Sequence, residues 1–125
     1  MTPQRHSKQR DAILDNLRSR YDNPTAEDIY FDLKKTFPSL SLATVYRNLS
    51  QLADDGTVLR INTGGAVHFD GNSENHYHLV CRDCLSVIDV EMPVVPTLNA
   101  DAEKSLGGKI LTHTVIFNGL CKNCI

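Results

Sequence analysis

His76-Tyr77-His78-Leu79-Val80-Cys81-Arg82-Asp83-Cys84 sets two kinds of metal ligand side by side, and a second cysteine pair, Cys121-Lys122-Asn123-Cys124, is separated from Cys84 by 36 residues. Two thiolates three positions apart on a tight turn can hold one cation, and two such pairs complete a tetrahedral four-sulfur shell. Zinc is the expected occupant of Cys81, Cys84, Cys121 and Cys124. With every position filled by thiolate there is no room for water or substrate, so this zinc would be structural and not catalytic. The shell would carry net negative charge, which Arg82, Lys122 and loop N–H groups are placed to offset. Two other readings of the cysteines stay open: a pair of disulfides, disfavoured because nothing suggests secretion, and a rubredoxin-like iron centre.

The histidines ahead of Cys81 form a second constellation. Residues i and i+2 of an extended segment point to the same side, so His76 and His78 present two imidazoles together. If the flanking strands form a hairpin centred near Asp83 and Cys84, His78 falls opposite Asp89 and His76 opposite Glu91. With Asp70, these residues offer a regulatory site of Asp70, His76, His78 and Asp89. Imidazole and carboxylate suit Fe(II), Mn(II) or Zn(II), and with a position left open they resemble iron sites that react with oxidants. His68 and His113 read as structural or surface residues.

Working outward, the segment after the linker reads as strand His78 to Arg82, strand Ser86 to Val90, a helix from about Val95 to Leu106, then Gly107-Gly108 and a last strand Lys109 to Phe117. So short a segment has a marginal core, and the zinc is expected to supply much of its folding free energy. Its exposed strands and helix invite pairing with a second copy, giving a homodimer.

Toward the N-terminus, Arg10 to Arg20 carries Ala12, Ile13, Leu14 and Leu17 at helical spacing. Asn23-Pro24 ends that helix. Thr25 caps the next, with Asp28 three residues on and Ile29, Tyr30, Leu33 and Phe37 inward, and Pro38 stops it. Ser41 caps a third helix from Leu42 to about Asp54, ended by Gly56. Val45, Leu49 and Leu52 form its packed face, while Thr44, Tyr46, Arg47, Asn48 and Gln51 project elsewhere. These are side chains that read base edges or hold phosphates, so the pair of helices reads as a helix-turn-helix with its recognition helix in the major groove. Val58 to Ile61 and Ala66 to Phe69, around a glycine turn, make a wing. Gly71 to Asn75 is polar and aperiodic, a hinge. The expected architecture is α+β: a winged helix-turn-helix domain over 1–70, a hinge over 71–75, and a small α/β dimerisation domain over 76–125 stabilised by the four-cysteine zinc.

Composition narrows the function. The 125 residues are 41% hydrophobic and 22% charged with a net charge of −2, which argues against a protein that coats nucleic acid generally. Residues 1–60 hold 9 Lys+Arg against 8 Asp+Glu, whereas 61–125 hold 4 against 7, so positive charge lies toward the front. No apolar run approaches the ~18 residues needed to span a bilayer. A cytoplasmic location follows, with no membrane partner, no catalytic residues and no small organic substrate. From a different class, the cysteine pairs would also suit an electron carrier or thiol oxidoreductase.

Ser-Leu-Ala-Thr-Val-Tyr-Arg-Asn-Leu at 41–49, Pro-Thr-Ala-Glu-Asp-Ile-Tyr at 24–30, His-Tyr-His-Leu-Val-Cys-Arg-Asp-Cys at 76–84 and the closing Cys-Lys-Asn-Cys resemble the ferric uptake regulator family. The likeness runs from about residue 7 to the end, with little of the N-terminal extension many members carry. Its peroxide-sensing repressors are the nearest in pattern. The resemblance implies zinc on Cys81, Cys84, Cys121 and Cys124, and regulatory Fe(II) or Mn(II) on Asp70, His76, His78 and Asp89. It also implies a mechanism in which peroxide reacts at bound Fe(II), a ligand histidine is oxidised, metal is lost and the repressor leaves a palindromic operator. The runner-up is an iron- or manganese-responsive repressor of uptake genes. Three positions depart from the pattern. Asn23 stands where a fifth regulatory ligand, a histidine, is expected, and an amide oxygen binds a hard cation more weakly than imidazole. Arg47 occupies a place where iron-uptake repressors typically have arginine and peroxide sensors can have asparagine. Tyr77 replaces an acid that would join His113 at the additional metal site of iron-uptake members.

Overall fold

The computed structural model describes residues 3–125, with side chains from Lys8 onward. The chain divides into two compact units, one ending at Ser73 and the other spanning Glu74–Ile125. Together they make an α+β protein. Among the described residues no helix is long and apolar enough to cross a membrane.

The first unit contains α1 (Pro3–Arg18), α2 (Ala26–Lys34), α3 (Leu42–Asp54), β1 (Leu59–Asn62) and β2 (Val67–Asp70). Helix α1 starts well ahead of the expected Arg10. Residues 3–9 carry no apolar stripe, and a proline in the first turn, where its missing N–H costs nothing, gives no stop signal. It also ends before Arg20, whose guanidinium instead meets Asp22 at 2.9 Å and Asp32 at 2.7 Å. Helix α2 begins with a reciprocal cap: Thr25 Oγ1 accepts the Asp28 N–H and the Asp28 carboxylate accepts the Thr25 N–H. Ser41 Oγ accepts the Thr44 N–H at the start of α3, and Gly56, at φ +82°, supplies the left-handed residue beyond its end.

These helices bury one continuous cluster: Ile13 and Leu17 from α1, Ile29 from α2, Val45, Leu49 and Leu52 from α3. Phe69 from the hairpin completes it. Strands β1 and β2 pair antiparallel from Leu59↔Asp70 to Asn62↔Val67. On its other side β2 is tied to the loop before α2, the Phe69 N–H donating to Pro24 O at 2.8 Å, with a bridge between Thr25 and His68.

The second unit contains β3 (Tyr77–Cys81), β4 (Val87–Val90), α4 (Leu98–Leu106) and β5 (Ile116–Gly119), in sheet order β4-β3-β5. Strand β3 is central, antiparallel to β4 with His78 opposite Asp89, and parallel to β5 with His78 opposite Ile116. Two expectations are corrected here. Only Ile116–Gly119 pairs, whereas the last strand was expected to begin at Lys109. A parallel neighbour cannot be reached by a hairpin, so the chain must return along the sheet before entering the ladder. Helix α4 begins at Leu98 instead of Val95 because Pro96 biases the residue before it away from helical geometry. The interior is small: Tyr77, His78, Val80, Cys81, Val87 and Cys121 are buried.

Candidate metal centre

The Cys81–Cys84 turn is shaped by β3 and β4. The Leu85 N–H donates to Cys81 O and the Cys81 N–H to Ser86 O, both at 3.0 Å, and Leu85 adopts φ +65° to close the turn. Strand β5 delivers the second pair beside it, where the Arg82 N–H donates to Gly119 O at 2.7 Å. All four Sγ atoms lie within 4.8 Å of one another, with Cys84–Cys121 at 3.8 Å and Cys121–Cys124 at 3.5 Å. A tetrahedral zinc with bonds of about 2.3 Å requires sulfurs about 3.8 Å apart. The four thiols are free, so the disulfide reading has no counterpart in the structure.

The electrostatics also call for a cation. N–H groups of Cys121 and Cys84 lower the Cys81 thiol to about 6, and Ser86 lowers Cys84 through its hydroxyl and N–H. The Cys124 thiol is pushed far above the usual range, first by its hydrogen bond to Cys121. Crowded sulfurs cannot all ionise side by side, and a dication at their centre removes that conflict. Arg82 and Lys122, expected to help, are exposed. The nearer compensation is the Cys121 N–H, 3.4 Å from Cys81 Sγ.

Within the second unit, Asp89 Oδ1 lies 3.3 Å from Nε2 of both His76 and His78, whose rings are 4.4 Å apart. His76 Nδ1 is 2.7 Å from Glu74 O. A carbonyl only accepts, so Nδ1 carries a proton, and Nε2 is the ring nitrogen turned toward Asp89. Imidazole and carboxylate acceptors thus converge on one point, which a shared proton or a metal ion can satisfy. Glu91 does not face His76 as expected. The β3–β4 ladder ends at Tyr77↔Val90, and a tight bond from the Met92 N–H to Val90 O leaves Glu91 exposed.

Asp70 and Asn23 belong to the first unit and both are buried. Asp70 ends β2, and its Oδ1 accepts the Asn72 N–H at 2.9 Å. Asn23 adopts φ +46°, a left-handed conformation that asparagine tolerates better than most residues, and its carbonyl accepts from His68 Nδ1 at 2.7 Å. His68 therefore braces the backbone of residue 23.

Tyr77 and His113 meet directly, the phenol oxygen 2.9 Å from His113 Nε2. His113 Nδ1 is 2.7 Å from Asn99 Oδ1. On the outward face of α3, Tyr46, Arg47 and Gln51 are exposed, and Tyr46 rests edge-on against Phe69. Thr44 and Asn48 are half-buried, and the Asn48 amide donates back to Thr44 O at 2.9 Å. Sequence reasoning missed Ser86, Asn99 and Arg60, which ties β1 to α3 through Ser50 O and Asp54. Only Ser86 had a local signal, a hydroxyl two residues after a thiolate.

The profile of the ferric uptake regulator family matches residues 2–118. A peroxide-responsive repressor of Staphylococcus aureus, PerR, is 36% identical over 121 residues, covering 96% of this chain and 82% of that protein. Among solved structures, the Campylobacter jejuni peroxide stress regulator superposes with a TM-score of 0.80 at 31% identity, over 96% of this chain and 91% of its own. The Vibrio cholerae ferric uptake regulator gives 0.71 at 31% identity, over 90% and 88%. With that profile spanning nearly every residue and these likenesses in both sequence and fold, the chain belongs to the ferric uptake regulator family.

Proposed function

We propose that this protein is a homodimeric, metal-dependent transcriptional repressor whose input is peroxide. The observation that carries the reading is the convergence of His76, His78 and Asp89 on one point, separate from a closed four-sulfur cluster. Cys81, Cys84, Cys121 and Cys124 hold structural zinc. His76, His78 and Asp89, with Asp70 assigned from the sequence, hold Fe(II) or Mn(II), and Asn23 is the weaker fifth candidate. Ferrous iron held there would supply the electron that activates peroxide. The chain's own part is positional: Glu74 O fixes the His76 tautomer so that Nε2 is the ligating atom, and Asp89 supplies negative charge to both imidazoles.

The first unit acts as a winged helix-turn-helix, with α3 as recognition helix and the β1–β2 hairpin as wing. Support comes from the split of α3 into a buried face of Val45, Leu49 and Leu52 and an outward face with Tyr46, Arg47 and Gln51. The second unit is the dimerisation domain, since Leu98, Leu106, Leu111, Ile116, Phe117 and Leu120 are all exposed in the single chain. A twofold dimer matches a palindromic operator. With Asp70 on the first unit and the histidines on the second, one cation bound to all would couple metal to DNA, and by linkage operator DNA must tighten metal binding by the same factor.

The likeness to the Vibrio cholerae ferric uptake regulator, and Arg47, favour the second reading, an iron- or manganese-responsive repressor of uptake genes. Peroxide treatment separates the two. The Fe(II)-loaded protein should release operator DNA and gain one oxygen on the peptide containing His76 and His78, while the Mn(II)-loaded protein does neither. Fe(II)-loaded protein that stays on DNA without histidine oxidation would establish the uptake reading instead.

A further inference from the structure

His113 is held at both ring nitrogens. Asn99 Oδ1 accepts from Nδ1, so Nε2 carries the lone pair and accepts the Tyr77 hydroxyl proton. That hydroxyl in turn accepts the Val95 N–H at 2.9 Å. The chain of donors is therefore complete and runs one way. It joins β3, the segment before α4, α4 itself and the segment before β5. The backbone of His113 is engaged as well, its carbonyl accepting from Asn75 Nδ2 at 3.1 Å. Asn75 and Tyr77 are the two neighbours of His76, so one histidine grips both sides of another.

That grip falls where the sheet provides least. Pairing with β4 ends at Tyr77, and pairing with β5 begins only at His78, so His76 lies beyond both ladders. Strand alternation points Tyr77 away from the face shared by His76 and His78. Its ring is 2% exposed and packs edge-on against Phe117.

We propose that Tyr77 and His113 form a clasp that holds the frayed start of β3 and so positions His76 and His78 for the regulatory metal. Tyr77 and His113 are positioning residues and not ligands; the inference rests on the metal-site reading above.

The test uses the zinc-loaded intact chain and Mn(II) as probe. Tyr77→Phe keeps the ring and removes the hydroxyl, and it should weaken Mn(II) binding about tenfold, the lower end of what loss of a supporting hydrogen bond costs a metal site, with zinc content unchanged. His113→Leu should do the same, and His113→Gln, whose amide oxygen can accept from Tyr77, should recover most of the affinity. The double variant Tyr77→Phe/His113→Leu should be no weaker than either single one. Without Mn(II), amide exchange in Tyr77→Phe should accelerate at residues 76–78 but not at Leu79 and Val80. Wild-type Mn(II) affinity in Tyr77→Phe, or uniform acceleration along β3, overturns the clasp. His78→Ala is the control: if it binds Mn(II) as tightly as wild type, the metal-site assignment itself has failed.

Discussion

The two units reach order by different means. In the first, Ile13, Leu17, Ile29, Val45, Leu49, Leu52 and Phe69 pack into a continuous apolar interior, and α2 and α3 carry side-chain caps at Thr25 and Ser41. In the second, the buried apolar side chains are few, Cys81 and Cys121 sit among them, and Leu106, Leu111 and Leu120 face outward. Burial of apolar surface holds the first unit. Specific links hold the second: four sulfurs at one end of the sheet and the Tyr77–His113–Asn99 network at the other. A short segment that cannot bury enough apolar area needs a metal or a partner to fold, and this one has ligands for the first and exposed surface for the second.

The largest effect should follow loss of one sulfur. Cys81→Ser or Cys124→Ser opens the shell, and structural zinc binding is worth on the order of 10 kcal/mol to small domains. Zinc content, sedimentation mass and amide exchange should show loss of zinc, of the proposed dimer and of protection in Glu74–Ile125, while α1 to α3 stay protected. Equal loss of protection in both units would break the contrast, and a stable zinc-free dimer would reject the structural role. Leu49→Ala is the converse experiment. Removing a fully buried leucine side chain costs about 2–5 kcal/mol, so denaturant unfolding should show the first unit destabilised with zinc content unchanged.

Arg47→Ala sharpens the comparison by separating function from stability. Its side chain is exposed and its guanidinium makes a long 3.4 Å bond to Thr44 Oγ1 on the same helix, so unfolding should barely change. Operator binding should weaken by about 1–3 kcal/mol if Arg47 reads a guanine edge, and the loss should vary with operator sequence. A uniform loss on all sequences would place Arg47 on phosphate instead.

Legibility followed the distance over which each signal acts. The caps at Thr25 and Ser41 and the glycine after α3 were readable because each depends on residues a few positions apart, and the opposition of His78 and Asp89 because a single tight turn joins their strands. The start of α1 was not, since residues 3–9 have no apolar period to betray a helix. His76 turned to Asp89 and not Glu91 because the ladder stops one residue short of it, a boundary that pairing arithmetic cannot locate. His113, read as a structural or surface residue, proved to be a fully bonded strut.

By itself the sequence determined the ligand chemistry and the local elements: two cysteine pairs at metal spacing, two histidines on one side of a strand, and helices bounded by their own caps. Tertiary structure decided what those elements meet. The parallel entry of β5, which brings Cys121 and Cys124 to Cys81 and Cys84, and the joining of Tyr77, Asn99 and His113 depend on contacts across 14 to 40 residues. Periodicity and capping are written in neighbouring residues, whereas such contacts form only once the sheet and helix have closed around a shared interior.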